Sequence, residues 1–176
     1  MEKNERDRIT CITLLDKESL NKINSVIKNV DYKLCKLKYK EENREEKDKL
    51  PFHMTLCVWK EGNHKKIKSF INSIELKEIE MKVVGLKIKE SSQNSYNLYF
   101  ELEKNQDYIM IQEKIYNEFK IEKYNPKTFI PHITIHIDKE KRNILKIYNE
   151  IMEIFQPFTI KFSKLGIYEI YPPKKI

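Results

Sequence analysis

The sequence contains no alanine, one tryptophan, three cysteines and only three glycines: Gly62, Gly85 and Gly166. A P-loop and a dinucleotide-binding turn both need clustered glycines, so both are excluded. Cys11, Cys35 and Cys57 have no C-x-x-C spacing and leave one thiol over, which argues for a reducing compartment and against a disulfide framework or structural zinc. No stretch approaches 18 apolar residues, so no membrane-spanning helix is expected. The first residues, MEKNERDR, lack the apolar run of a signal peptide, and a cytoplasmic location is the expectation. Arginine is also scarce, at Arg6, Arg8, Arg44 and Arg142, so nearly all positive charge is lysine.

What is present fits a folded enzyme-sized domain. The 176 residues, taken as a single domain over 1–176, suffice for a sizeable core, and 40% hydrophobic with 11% aromatic content excludes a disordered chain. The net charge of +7 suits an anionic ligand through long-range attraction, although a compositional bias toward Lys, Ile, Asn and Glu accounts for it equally. The charged run 40–49, Lys65-Lys66 and Lys174-Lys175 read either as solvated surface or as guides for such a ligand.

Periodicity gives an alternating order of elements. Ile9–Leu15 predicts a strand, and Asp16 the cap of a helix over roughly 17–29 carrying Leu20, Ile23, Val26, Ile27 and Val30. Tyr32 to Tyr39 is an imperfect strand pattern. Pro51 then opens a strand through Trp59, and Gly62-Asn63 a helix with Ile67, Phe70, Ile71 and Ile74. Ile79–Ile88 predicts a strand bent or bulged at Gly85. After a turn at 91–95 come a strand over 96–102 and a helix capped by Asp107. Pro131 precedes a further strand through Ile137, and Asp138 is the expected cap of the next helix. Phe158–Tyr171 is the last strand. The order strand, helix, loop, proline, His-x-Thr strand, helix, strand therefore occurs twice, from Ile9 and from Tyr96.

The chemistry lies in that repeat. His53-Met-Thr55-Leu and His132-Ile-Thr134-Ile share one local frame, 79 residues apart (132 − 53). On a strand alternate side chains share a face, so each copy presents an imidazole and a hydroxyl together, with Met54 or Ile133 toward the core. Two imidazoles across a cleft can divide the work of general acid and general base, because each titrates near neutrality. The hydroxyls of Thr55 and Thr134 would hold non-bridging phosphoryl oxygens, and no metal or other cofactor is required.

Paired His-hydrophobic-Thr-hydrophobic motifs at this separation, each on a strand, resemble the 2H phosphoesterase superfamily, whose members include RNA 2′,3′-cyclic phosphodiesterases and 2′–5′ RNA ligase-like proteins. The resemblance covers nearly the whole chain. It implies an α+β fold: a bilobal, duplicated α/β unit with two antiparallel sheets facing a central cleft. It also implies His53 and His132 as catalytic residues, Thr55 and Thr134 as phosphate-binding residues, and Tyr168 as an aromatic of the last strand near the cleft. The expected partner is an RNA end, a nucleotide or a cyclic oligonucleotide, bound by a monomer without a membrane. The alternative is a catalytically idle module that grips nucleotides or RNA through the same cleft.

Other polar residues have two readings each. By strict alternation His136 extends the face of His132 and Thr134 and lines the pocket; otherwise it ends the strand in solvent. A zinc pair of His132 and His136 would need helical geometry. Cys57 shares the face of His53 and Thr55 by the same alternation and reads as packing. His64, beside two lysines at a helix start, reads as surface. Phe52 and Phe129 precede the two histidines and either stack on bases or pack in the core.

Overall fold

A computed structural model describes residues 9–27, 52–59, 64–91, 95–170 and 173–175, with no side chains described at 169–170 or 173–175. The strand pattern of Tyr32 to Tyr39, the charged run 40–49 and Gly62-Asn63 lie outside the described residues. The elements are β1 (Ile9–Leu15), α1 (Lys17–Ile27), β2 (His53–Trp59), α2 (His64–Asn72), β3 (Ile79–Glu90), β4 (Tyr96–Leu102), α3 (Gln106–Phe119), β5 (His132–Asp138), α4 (Lys141–Met152), β6 (Phe158–Ile170) and β7 (Pro173–Lys175), with a 3₁₀ turn at Glu122–Tyr124. The expected order is therefore observed, and the fold is α+β with an antiparallel sheet.

Each helix forms because its apolar residues recur on one stripe, and the stripe is what it buries. α1 buries Ser19, Ile23 and Ile27; α2 buries Ile67 and Ile71; α4 buries Ile144, Ile147 and Ile151. Asp16 caps α1 as expected, its carboxylate accepting the Ser19 N–H at 2.7 Å. α3 starts earlier than expected. Asn105, not Asp107, is its cap and accepts the Tyr108 N–H at 2.8 Å. Asp138 accepts the Glu140 N–H at 2.8 Å just ahead of α4, so it organises that helix start without being its cap residue.

Strand pairing carries the duplication further than the element order does. β1 pairs with β2 and β6, β2 with β5, β5 with β4, β4 with β3, and β3 with β6, a closed circuit of antiparallel ladders. An approximate two-fold relates β1, β2 and β3 to β4, β5 and β6. The third strand of each repeat leaves its own repeat and pairs with the first strand of the other, β3 on β4 and β6 on β1. The two expected sheets are thus the halves β6-β1-β2 and β3-β4-β5, joined at β2–β5 and β3–β6.

Even the irregularities are duplicated. The ladders skip Leu56 in β2 and Ile135 in β5, and Val84 in β3 and Ser163 in β6. Each pair is again 79 residues apart (135 − 56 and 163 − 84). The bend expected at Gly85 is thus a bulge centred on its neighbour Val84. The core is filled by Met54, Leu56, Leu98, Phe100, Ile133, Ile160 and Phe162, all fully buried, with the helices over them. Trp59 meets Phe119 of α3 edge-on at 5.0 Å, and Phe119 meets Phe70 of α2 at 5.3 Å, tying both helices to β2.

Candidate active site

The two His-x-Thr strands meet at Met54, which lies opposite Ile133 in antiparallel register. Antiparallel pairing then sets His53 opposite Thr134 and Thr55 opposite His132. Met54 and Ile133 are fully buried on the core face, so the four motif side chains share the other face. Directly opposed side chains lie about 4.5–5.5 Å apart at Cβ and diagonal ones about 7–8 Å. His53 and His132 form the diagonal of this rectangle, and Thr55 and Thr134 form the other. All four are half-buried.

Each half of the site is pinned from behind. The bulge at Leu56 turns its carbonyl out of the ladder, and Gln112 of α3, fully buried, donates to it through Nε2 at 2.9 Å. The same Nε2 donates at 2.8 Å to the Tyr124 carbonyl, in the segment leading to His132. Thr10 and Thr13 of β1 donate to the Cys57 and Met54 carbonyls at 3.2 and 3.3 Å. His132 Nδ1 lies 2.8 Å from the Ile130 carbonyl, which can only accept, so Nδ1 carries the proton in that bond. Its ring is flanked by Tyr99 at 5.0 Å and Phe129 at 5.7 Å.

The surroundings of the two histidines differ. Leu14 is the cross-strand partner of His53, whereas Glu101 is that of His132. Tyr99 is the partner of Thr134, and burial followed by the charge of Glu101 pushes its phenol upward. Sequence reasoning missed Tyr99 and Glu101, because alternation along β4 marks their face without naming the strand opposite.

Tyr168 lies on the site face. Its partner across the ladder is Thr10, and two residues along Gly166 pairs with Ile12, which pairs with Thr55. A Cβ on Gly166 would sit 2.6 Å from Tyr168 Cε2 and 3.5 Å from Ile12 Cγ1, so the glycine is there to let the ring lie over the strand toward Thr55. Burial raises the Tyr168 phenol. Phe52 is half-buried against the core beside His53, and Phe129 packs on Tyr124 at 5.3 Å as well as on His132.

Two expected positions are corrected by the bulges. A one-residue slip moves every following side chain to the other face. After Ile135 the ladder resumes with His136 opposite Leu98, a core residue, so His136 points away from His132 and Thr134 and is 2% exposed. Its Nε2 lies 3.6 Å from Asp138 Oδ2, and burial lowers its pKa against the pull of that carboxylate. Burial acts to raise Asp138 in turn, but the bonds from the Glu140 N–H and Asn143, with the nearby His136, outweigh it and hold the carboxyl below its usual range. His132 and His136 therefore cannot ligate one ion together. Cys57 is displaced the same way by the bulge at Leu56, onto the core face opposite Cys11, and burial drives its thiol up to about 12. His64 is exposed as expected. Among the described residues no group of three or more His, Cys, Asp or Glu could hold a metal ion, and no helix is long and apolar enough to cross a membrane.

No protein-family model and no curated protein matches the sequence. Solved structures do. The Escherichia coli LigT complex with 3′-AMP superposes with a TM-score of 0.51 at 13% identity, over 93% of this chain and 87% of that one. The apo form of E. coli LigT gives 0.52 at 13% identity over 92% and 86%. Kluyveromyces marxianus Usb1 aligns over 97% of this chain and 98% of its own at 12% identity, with a TM-score of 0.49. At the level of fold, the chain is similar to LigT.

Proposed function

We propose that the protein is a metal-independent phosphodiesterase that opens a ribose cyclic phosphate, or cleaves a 2′–5′ phosphodiester, of RNA or a nucleotide. The observation that carries this reading is the Met54–Ile133 pairing, which sets two imidazoles and two hydroxyls alternately around one point on the open face of the sheet. LigT, whose fold is similar, has been solved with 3′-AMP and with ATP.

In the proposed reaction phosphorus sits between His53 and His132, with non-bridging oxygens on the hydroxyls of Thr55 and Thr134. One neutral imidazole takes a proton from water as the water oxygen bonds to phosphorus. The P–O bond to the ribose oxygen breaks on the opposite side, and the other imidazole, protonated, delivers its proton to that oxygen. The diagonal separation of about 7–8 Å leaves room for the in-line arrangement, with each ring able to reach one apical oxygen.

The test is turnover in EDTA of 2′,3′-cyclic nucleotides, RNA ending in a cyclic phosphate, a 2′–5′ dinucleotide, cyclic oligonucleotides and an ADP-ribose cyclic phosphate. Hydrolysis of one class, abolished in both His53→Ala and His132→Ala with the fold retained, is the expected result. No turnover of any of them, or full activity in either variant, overturns the proposal.

A further inference from the structure

The four motif residues obey the two-fold and give the substrate no direction; what surrounds them does not obey it. Beside His53 lies a cavity of about 440 Å³, formed where the end of β1 and the start of α1 meet the bulge of β6. Leu14, Leu20 and Phe52 make its apolar walls, Ser163 offers a hydroxyl, exposed Lys17 and Lys164 stand at its rim, and Asp16, whose carboxylate is engaged by the Ser19 N–H, also lines it. It is continuous with the site, because Leu14 is the cross-strand partner of both His53 and Lys164. The volume falls within the range of about 300–1,000 Å³ typical of small-molecule pockets. At the positions related by the two-fold, Glu101 replaces Leu14 and Gly85 replaces Lys164. One end of the site is thus mainly apolar with two lysines at its rim and its one carboxylate, Asp16, tied down as the α1 cap, and the other carries Glu101 beside the histidine.

Resting on the phosphodiesterase reading, we infer that this cavity is the nucleoside subsite: the base of the phosphate-bearing nucleotide enters at the His53 end, and a phosphate on its 5′ side meets Lys17 and Lys164. A flat, largely apolar base with an anionic neighbour matches apolar walls and a lysine rim, whereas Glu101 repels an anion from the opposite end. The bulge at Ser163 is what brings the hydroxyl and the lysine side by side at the mouth. The substrate would then lie across the site in one orientation, though the motifs alone permit two.

The experiment compares kcat/KM for adenosine 2′,3′-cyclic phosphate with that for 1-O-methylribose 2,3-cyclic phosphate, which lacks the base. In Leu20→Trp, which fills the cavity, the ratio of the two should fall at least tenfold. Lys164→Glu, an exposed change that leaves the core untouched, should abolish any gain in kcat/KM conferred by a 5′-phosphate on the adenosine substrate. Equal loss on both substrates in Leu20→Trp, or an undiminished 5′-phosphate effect in Lys164→Glu, overturns the assignment. If the wild type turns over neither substrate and no other member of the panel above, the phosphodiesterase reading fails by itself. Equilibrium binding of 3′-AMP then decides the cavity: at least tenfold weaker binding to Leu20→Trp upholds it, and unchanged affinity refutes it.

Discussion

Gln112 is the residue whose replacement should reveal most about how the site is held. Its side chain is fully buried, and a single Nε2 donates to Leu56 O at 2.9 Å and Tyr124 O at 2.8 Å. Gln112→Leu keeps the shape and removes both bonds. A buried polar group left without its partner costs about 1–3 kcal/mol, so two carbonyls bared against one unsatisfied Oε1 removed set a net loss of about 1–3 kcal/mol. For a chain of this size each kcal/mol moves Tm by about 2–4 °C, which puts the expected drop at about 2–12 °C by calorimetry or circular dichroism. Gln112→Glu should be worse at neutral pH, since a carboxylate would face two acceptors. Its pKa in the fold would be raised above the unfolded value. The stability it retains is therefore fully present below the unfolded carboxylate pKa and is lost as pH rises through the folded one. A Tm for Gln112→Leu within about 1 °C of wild type, or a Gln112→Glu variant no less stable at pH 7 than at pH 4, would refute the reasoning.

Other outcomes follow from the same geometry. Thr55→Val and Thr134→Val each remove one hydrogen bond to a charged oxygen, about 1.5–3 kcal/mol, and should lower kcat/KM by about ten- to a hundredfold in steady-state assays, with thermal stability little changed. The wild-type pH–rate profile should be bell-shaped, and removal of one histidine should abolish the rate at every pH rather than move one limb. Gly166→Ala pushes a methyl group into the Tyr168 ring and should raise KM more than it lowers kcat; unchanged kinetics would take Tyr168 out of the site. His136 has its pKa lowered from 6.5 by burial, so above that pH folded and unfolded chains bind the same protons there. As pH falls below it the unfolded imidazole is protonated first, and stability declines until the folded pKa is passed. His136→Leu should flatten urea-unfolding free energies across that window, and an unaltered slope would rule His136 out as its cause.

Much of this was legible before any coordinates. The order of elements, the duplication and the shared face of His53 with Thr55 and of His132 with Thr134 all follow from periods of 2 and 3.6. The bulges do not. Ile133-Thr-Ile-His-Ile137 alternates without a flaw, so nothing in it betrays that Ile135 is skipped and His136 turned inward. The exchange of β3 and β6 between halves is equally silent, because a strand's pattern states which face is apolar and never which neighbour it pairs with. Gln112 could have been found. It sits on the buried stripe of Tyr108, Ile111 and Ile115, and a polar side chain there requires partners in the core.

That exchange of third strands has a consequence for how the chain could be divided. A single repeat, severed between β3 and β4, would carry one motif strand and a third strand with no first strand of a partner to pair with. Two copies of such a half would satisfy each other, β3 of one on β1 of the other and motif strand against motif strand, as a symmetric dimer with the motif residues around the axis. The complementary halves 1–91 and 95–176, expressed separately, should likewise regain the site only on meeting. In that sense the protein is a strand-swapped dimer written in one chain, and its asymmetric cavity is what a covalent join permits that true symmetry forbids.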